Sequence, residues 1–326
     1  MKNEVFVLGG TGFIGAYTVS ELLKKGYNVS TAALPPLQEG SLPNNVEITL
    51  CNINDMSDDD VVKMLTGKHA FIFAAGKGDY GFVDKPANRF FYTEVTLSLQ
   101  RLVRLARKAG MKKFILCGSF FCHFWREWPE LVLEKSAYPL ARILQEQIAF
   151  LEGEGAMDVV ALRFPYILGS MNGHPSGSWM DFYYQIKGKD VIEVPAGGST
   201  MVTVQQVAEV LVGAMENGEH GKAYLVGDAN LKFAEATQIM LDEMGQSNTQ
   251  IKILSEEQYM SQMKEIDDRF ASQGREAGIH MVTMAKVLSR DTFVDLDATR
   301  PVLGYKRDSI ETWIRNTTRD CMEQDK

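Results

Sequence analysis

Two groups of residues in this 326-residue chain have types and spacings that can do chemistry. The first is Gly9-x-x-Gly12-x-x-Gly15, within Gly9-Gly10-Thr11-Gly12-Phe13-Ile14-Gly15 and directly after the apolar run Val5-Phe6-Val7-Leu8. Glycines so spaced allow a tight exit from a strand at Gly9, close approach of a pyrophosphate at Gly12, and close helix–sheet packing at Gly15. The free N–H groups and positive dipole end of the following helix then face the phosphates. The second group is Ser119, which ends the run Phe114-Ile115-Leu116-Cys117-Gly118, together with Tyr138 and Arg142. A serine at the carboxyl edge of a sheet stands where open α/β folds place their ligands. Tyr138 and Arg142 are four residues apart, so they share one helix face.

The elements that must position these residues are legible as alternating patterns. Strands are expected over 5–8, 28–32, 46–50, 70–74, 113–117 and 158–162, with helices up to Lys25 and over 59–65, 88–108 and 138–151. Ser136 is placed to cap the last of these helices, with Pro139 in its first turn. Short β-branched and aromatic runs separated by helices imply right-handed crossovers and a parallel sheet covered on both faces. The expected class is α/β, a Rossmann-type doubly wound sheet over 1–165 with a returning segment near 200–228. After residue 165 the rhythm loosens into Gly/Ser/Asn/Pro-rich stretches, several helices and one apolar strand over 223–226. Residues 166–326 are expected to form a smaller, mainly helical substrate region.

With 45% hydrophobic residues, a chain of this length buries about three quarters of its unfolded surface and needs no disulfide staple. A net charge of −8 and a pI of about 5.3 argue against a polyanionic partner such as nucleic acid. Cys51, Cys117, Cys122 and Cys321 form no CxxC pair and read as reduced thiols. His123 and His174 lack a paired ligand at metal-site spacing, so no metal is expected. Met1-Lys2-Asn3 leads straight into the first strand and no run reaches membrane-spanning length, which gives a cytoplasmic expectation.

Taken together, the motifs resemble the extended short-chain dehydrogenase/reductase family, also called the NAD-dependent epimerase/dehydratase family. The resemblance is carried by Gly9 to Gly15, Phe73-Ala74-Ala75-Gly76, Asp84-Lys85-Pro86, the Ser119 strand end and the Tyr138 helix. Leu162-Arg163-Phe164-Pro165-Tyr166-Ile167-Leu168-Gly169 and Thr299-Arg300-Pro301-Val302-Leu303-Gly304-Tyr305 extend it over most of the chain. It implies a nicotinamide dinucleotide held by Gly9, Thr11, Gly12, Phe13, Ile14, Gly15, Asn52, Ala74, Ala75, Gly76, Tyr138, Arg142, Pro165 and Ile167. It further implies a catalytic set of Ser119, Tyr138 as general acid/base, and a basic residue four positions on. Arg142 stands where the family has lysine. A tyrosine in water ionises near pH 10, so acid/base work near neutrality needs a lowering of roughly 2 to 3 pH units. A cation about 5 Å away at an effective dielectric of 20 contributes about 3 kcal/mol, which either base can supply. The difference lies in shape, a planar guanidinium fork against a compact ammonium donor.

Thr31-Ala32-Ala33-Leu34 ends the second strand with neither an acid for a ribose diol nor an arginine for a 2′-phosphate, so NAD and NADP both stay open. Asn52 stands where the family often places an aspartate for the adenine edge, and it reads equally well as a turn residue. Pro165 replaces an asparagine that sugar-nucleotide members often use. Between Ser119 and Tyr138, the aromatic-dense Phe120–Trp128 segment suits either an apolar substrate or packing. Met240, Met244, Met260, Met263, Met281 and Met284 carry the same two readings. The expected activity is hydride transfer between NAD or NADP and a carbonyl/hydroxyl carbon of a small molecule, an apolar one being suited to the aromatic segment. The alternatives are a nucleotide-sugar epimerase or dehydratase, and a non-catalytic NAD(P) sensor. A homodimer through the 88–108 and 138–151 helices is the family's implication.

Overall fold

The structure, a computed structural model, describes residues 4–37, 41–76 and 81–326. Met1–Asn3, the expected lead-in to the first strand, lies outside the described residues. A seven-stranded parallel sheet is built from β1 (Glu4–Leu8), β2 (Asn28–Ala33), β3 (Glu47–Leu50), β4 (Ala70–Phe73), β5 (Lys113–Ser119), β6 (Asp158–Phe164) and β7 (Ala223–Leu225). Its spatial order is β7-β6-β5-β4-β1-β2-β3. The direction of growth reverses between β1 and β4, and a ligand crevice opens at the carboxyl ends there. Register aligns those ends, with Leu8 opposite both Ala32 and Phe73, and Ser119 opposite Phe164.

Each face of the sheet is covered because the strands are apolar on both sides. Val5, Val7, Ile72 and Ile115 pack on one face with Val19 and Leu22 of the helix Phe13–Lys24 and with Val207, Val210 and Leu211 of the helix Val204–Asn217. Phe6, Phe71, Phe114 and Leu116 pack on the other with Val61 and Leu65 of the helix Asp58–Leu65, and with Leu99, Leu102, Val103 and Ala149. The chain thus returns to the seven-stranded sheet after residue 200 through one helix and one strand. The expected long helix runs over 87–108, but it contains a π-helical turn at Tyr92–Leu97. Gln145 donates its amide to the Val95 carbonyl and Thr96 donates its hydroxyl to the Ala141 carbonyl, so neighbouring groups engage the widened turn.

The second half is organised around the strand Gly198–Thr203, which pairs with Ala229–Lys232, Tyr166–Leu168 and Asp291–Thr292. Helices Gly177–Ile186, Phe233–Glu243 and Ile310–Gln324 close over it around Leu168, Trp179, Tyr183, Met240 and Ile314. Met240 is fully buried there and Met244 packs beside it, in keeping with the core reading of those two methionines.

Candidate active site

The turn after β1 has the tightness its glycines suggested. Gly9 adopts φ +84°, and a Cβ on Gly15 would lie 2.0 Å from the Gly9 carbonyl oxygen. Gly15 therefore cannot carry a side chain without opening the turn. At Gly12 an added Cβ would meet only that same oxygen, at 3.3 Å, so the space above it is open. Gly12 caps the helix Phe13–Lys24 without a side-chain hydrogen bond, and the first turn holds no acid. Those N–H groups suit a pyrophosphate. Thr31 braces the turn from β2, accepting from Gly10 N–H at 3.1 Å and donating to the Val7 carbonyl at 2.6 Å.

A cleft of about 610 Å³ runs from this turn along the carboxyl ends of the strands. Phe13, Ile14, Ala74, Ala75, Gly76, Ser119, Tyr138, Arg142, Pro165 and Ile167 all line it, although they are spread over nearly half the chain. Gly9 reaches the same place from behind, since its Cβ position lies 3.1 Å from Ala74 and Ala75 backbone atoms. Thr11 stays half-buried in the turn. Asn52 is not among the lining residues. It is exposed, its oxygen accepts from Asn54 N–H at 3.2 Å, and its amide donates to Asp55 at 2.9 Å. At the end of β2 Ala33 is buried, and Leu34 just beyond it is 67% exposed; neither side chain carries a charge to offer a ribose.

Tyr138 and Arg142 lie one turn apart on the helix Ala137–Gly153. The Arg142 guanidinium carbon is 5.8 Å from the Tyr138 ring centroid. Arg142 is only 8% exposed. One terminal nitrogen donates to the Cys117 carbonyl, while its Nε has no hydrogen-bond partner among the described residues. Ser119, also buried, accepts weakly from Phe121 N–H at 3.4 Å. One turn beyond Arg142, Glu146 is held by Arg163 of β6 through two hydrogen bonds of 2.9 and 2.5 Å. Burial pushes the Cys117 thiol up to about 12 and the Cys122 thiol up to about 12, with the Arg142 charge opposing both shifts. Burial likewise lowers His123 from its ordinary value, opposed by Glu127. No group of three or more His, Cys, Asp or Glu among the described residues could hold a metal.

The aromatic segment forms a helix, Phe121–Glu127. Phe120 and Phe121 face the cleft, whereas Phe124 stacks on Trp128 at 4.4 Å in the core behind it, so each reading holds for part of the segment. Ser136 is the N-cap residue but makes no cap bond, and its Oγ accepts from His280 N–H instead. Sequence reasoning missed Tyr166, Trp179, Val287, Leu288 and Thr292, and took Met284 as core at least as readily as pocket. All of these line the far half of the cleft. Apart from Tyr166, which lies in the Leu162–Gly169 run, they come from elements carrying no motif, and only the fold brings them near Ser119.

A doubly wound sheet, a glycine turn opening a helix, and a Ser/Tyr/basic set in the adjoining cleft define the NAD(P)-dependent oxidoreductases of the short-chain type. The sequence model of the NAD dependent epimerase/dehydratase family matches residues 5–227, and the chain belongs to that family. Its cofactor is a nicotinamide dinucleotide, NAD or NADP. Among curated relatives it is 23% identical over 254 residues to a putative dihydroflavonol 4-reductase of Synechocystis sp., covering 71% of this chain and 69% of that protein. It is 25% identical over 227 residues to UDP-glucose 4-epimerase 2 of Arabidopsis thaliana, covering 64% and 61%. The crystal structure of gox2253 superposes with a TM-score of 0.80 at 18% identity, covering 99% of both chains. No helix among the described residues is long and apolar enough to cross a membrane.

Proposed function

We propose that this enzyme moves hydride to or from a hydroxyl-bearing carbon of a nucleotide sugar, as an epimerase or dehydratase. The observation that carries the redox reading is the convergence of Ser119, Tyr138 and Arg142 on the cleft that also begins at Phe13 and Ile14. The dinucleotide supplies the hydride acceptor and donor. Gly9, Gly12 and the N–H groups of Phe13 and Ile14 would hold its pyrophosphate, and Ala74–Gly76, Pro165 and Ile167 would flank the remainder. Tyr138 moves the proton at the substrate oxygen, Ser119 orients that oxygen, and Arg142 keeps positive charge beside the phenol. Asn52 contributes at the adenine edge only if its local bonds exchange for the base. The sugar-nucleotide reading is supported by the UDP-glucose 4-epimerase relative.

A second reading, reduction of a small apolar carbonyl compound, is favoured by the far half of the cleft. Phe120, Phe121, Tyr166, Trp179, Met284 and Leu288 line it, and Arg142 and Asp181 are the only charged residues among the described lining. The dihydroflavonol reductase relative points the same way. Family membership counts against a purely sensory role.

One experiment separates the readings. The purified protein is denatured and any released nucleotide is identified. It is then offered UDP-glucose with product analysis, and carbonyl compounds with reduced nicotinamide consumption. Tightly retained NAD with sugar interconversion supports the first reading. Stoichiometric consumption of NADH or NADPH supports the second. Failure to bind any nicotinamide nucleotide overturns both.

A homodimer is also proposed, through the outer faces of the 87–108 and Ala137–Gly153 helices. Leu97 and Leu151 stand 41% and 74% exposed there. Light scattering should give twice the 36.4 kDa chain mass, and Leu151→Glu should halve it.

A further inference from the structure

Residues 275–281 are remote in sequence from Tyr138, yet they are bonded to the start of its helix at two points. The Tyr138 N–H donates to the Gly278 carbonyl at 2.7 Å, and the His280 N–H donates to Ser136 Oγ at 3.3 Å. The first turn of a helix leaves its N–H groups without intrahelical acceptors, and here the Ser136 side chain supplies none. Gly278 supplies the one at Tyr138.

Gly278 is buried, and its lack of a side chain has a specific use. A Cβ there would lie 2.6 Å from Phe91 Cζ and 3.3 Å from Tyr138 Cβ. Phe91 in turn packs edge-on to the Tyr138 ring, with centroids 5.8 Å apart. Glycine thus leaves the room in which Phe91 and Tyr138 meet.

The segment is itself anchored. Arg275–Ala277 pairs antiparallel with Phe82–Asp84, and Glu276 accepts the Ala87 N–H at 2.9 Å. Asp267 accepts the N–H groups of Met281 and Val282 at 3.0 and 3.1 Å. The Gly278 carbonyl is therefore a fixed point, and the helix that follows carries Met284 and Leu288 into the cleft wall. One support serves both the far wall and Tyr138.

We propose that Gly278 is a positioning residue for Tyr138, fixing the direction of the phenol through its carbonyl and through the ring contact it leaves room for. This rests on Tyr138 being the proton-transfer group. Displacing a reacting group by about 1 Å costs on the order of 100-fold in rate.

The test uses Gly278→Ala, Gly278→Ala with Phe91→Leu, Ser136→Ala, and Tyr138→Phe as reference, each in the full chain. Gly278→Ala should lower kcat about 10- to 100-fold on whichever substrate the screen above identifies, with dinucleotide Kd within about twofold. It should also move the Tyr138 ionisation, isolated by subtracting the ultraviolet titration of Tyr138→Phe. Adding Phe91→Leu removes the clashing ring together with its contact to Tyr138, so it should recover both readouts in part, through the Gly278 carbonyl alone. If Gly278→Ala does not fold, Ser136→Ala carries the test, with kcat falling about 2- to 10-fold and dinucleotide Kd unchanged. A folded Gly278→Ala, or failing that Ser136→Ala, with wild-type kcat and an unmoved phenol titration overturns the proposal. So does an activity loss that follows the melting temperature and is not recovered by Phe91→Leu. If Tyr138→Phe is inactive while Gly278→Ala is not, this inference alone falls. If Tyr138→Phe turns over normally, the function reading falls with it.

Discussion

Arg142 donates through one guanidinium nitrogen to the Cys117 carbonyl, and its buried Nε has no hydrogen-bond partner among the described residues. A buried donor without an acceptor costs about 1 to 3 kcal/mol, and a ligand at the cleft wall can relieve that cost. The guanidinium carbon lies 5.8 Å from the Tyr138 ring centroid, and a cation about 5 Å from a phenolate at an effective dielectric of 20 is worth about 3 kcal/mol. Arg142→Met should therefore reduce kcat by about 10- to 100-fold and push the pH profile of kcat upward. Arg142→Lys, which keeps the charge, should retain most of the turnover. Wild-type kinetics for Arg142→Met would remove the residue from the mechanism.

Tyr138→Phe should lower kcat at least about 100-fold, the usual worth of a positioned acid/base, while dinucleotide affinity changes little. Ser119→Ala should cost less, because it orients the oxygen rather than transferring the proton. Steady-state kinetics beside calorimetric titration of the nucleotide distinguishes these effects. Equal losses of affinity and rate would point to a binding defect instead.

The glycine turn separates binding from folding. Gly12→Ala should weaken dinucleotide binding about tenfold or more, roughly 1.4 kcal/mol, with a small change in melting temperature, because its Cβ meets only the Gly9 carbonyl oxygen, at 3.3 Å, and would stand where a pyrophosphate approaches. Gly15→Ala should lower affinity and melting temperature together, because its Cβ collides with the Gly9 carbonyl. A stable Gly15→Ala with intact binding would contradict this account of the turn.

Arg163 and Glu146 form a buried, two-pronged ion pair directly behind Arg142. Removing one partner strands the other charge, so Glu146→Ala should cost about 3 to 5 kcal/mol in denaturant unfolding. Replacing both by apolar residues should cost much less. If the double replacement is as destabilised as the single one, packing rather than stranded charge explains the loss.

Cys117, Cys122 and Cys321 each have their thiol pushed from 9.0 up to about 12, burial being the first cause in every case. The unfolded chain loses these protons from about pH 9, whereas the folded chain keeps them to about pH 12. Their contribution to stability is full below about pH 9 and is lost as pH rises toward 12. Unfolding free energies measured from about pH 8 to about pH 11 should fall accordingly. In the native state at about pH 8, a thiol reagent should label half-buried Cys51 first. A flat alkaline profile with rapid labelling of Cys117 would refute the burial.

The sequence by itself determined whatever is local. Gly9, Gly12 and Gly15 sit within seven residues, so the turn and its helix follow from backbone sterics alone. Tyr138 and Arg142 follow from helix periodicity, and the strands from apolar runs that a doubly covered sheet requires. Tertiary structure decided everything that depends on distant chain segments meeting. Glu146 and Arg163 are 17 residues apart with nothing in their spacing to pair them. Ser136 looked like a cap, yet its hydroxyl serves His280, 144 residues away. Phe121 and Phe124 are indistinguishable as sequence, and only the packing around them sends one to the cleft and the other to the core. Gly278 adjoins no motif. Its meaning arises because Phe91 and Tyr138 converge on it from two separate helices, a coincidence of packing that no short window of residues encodes.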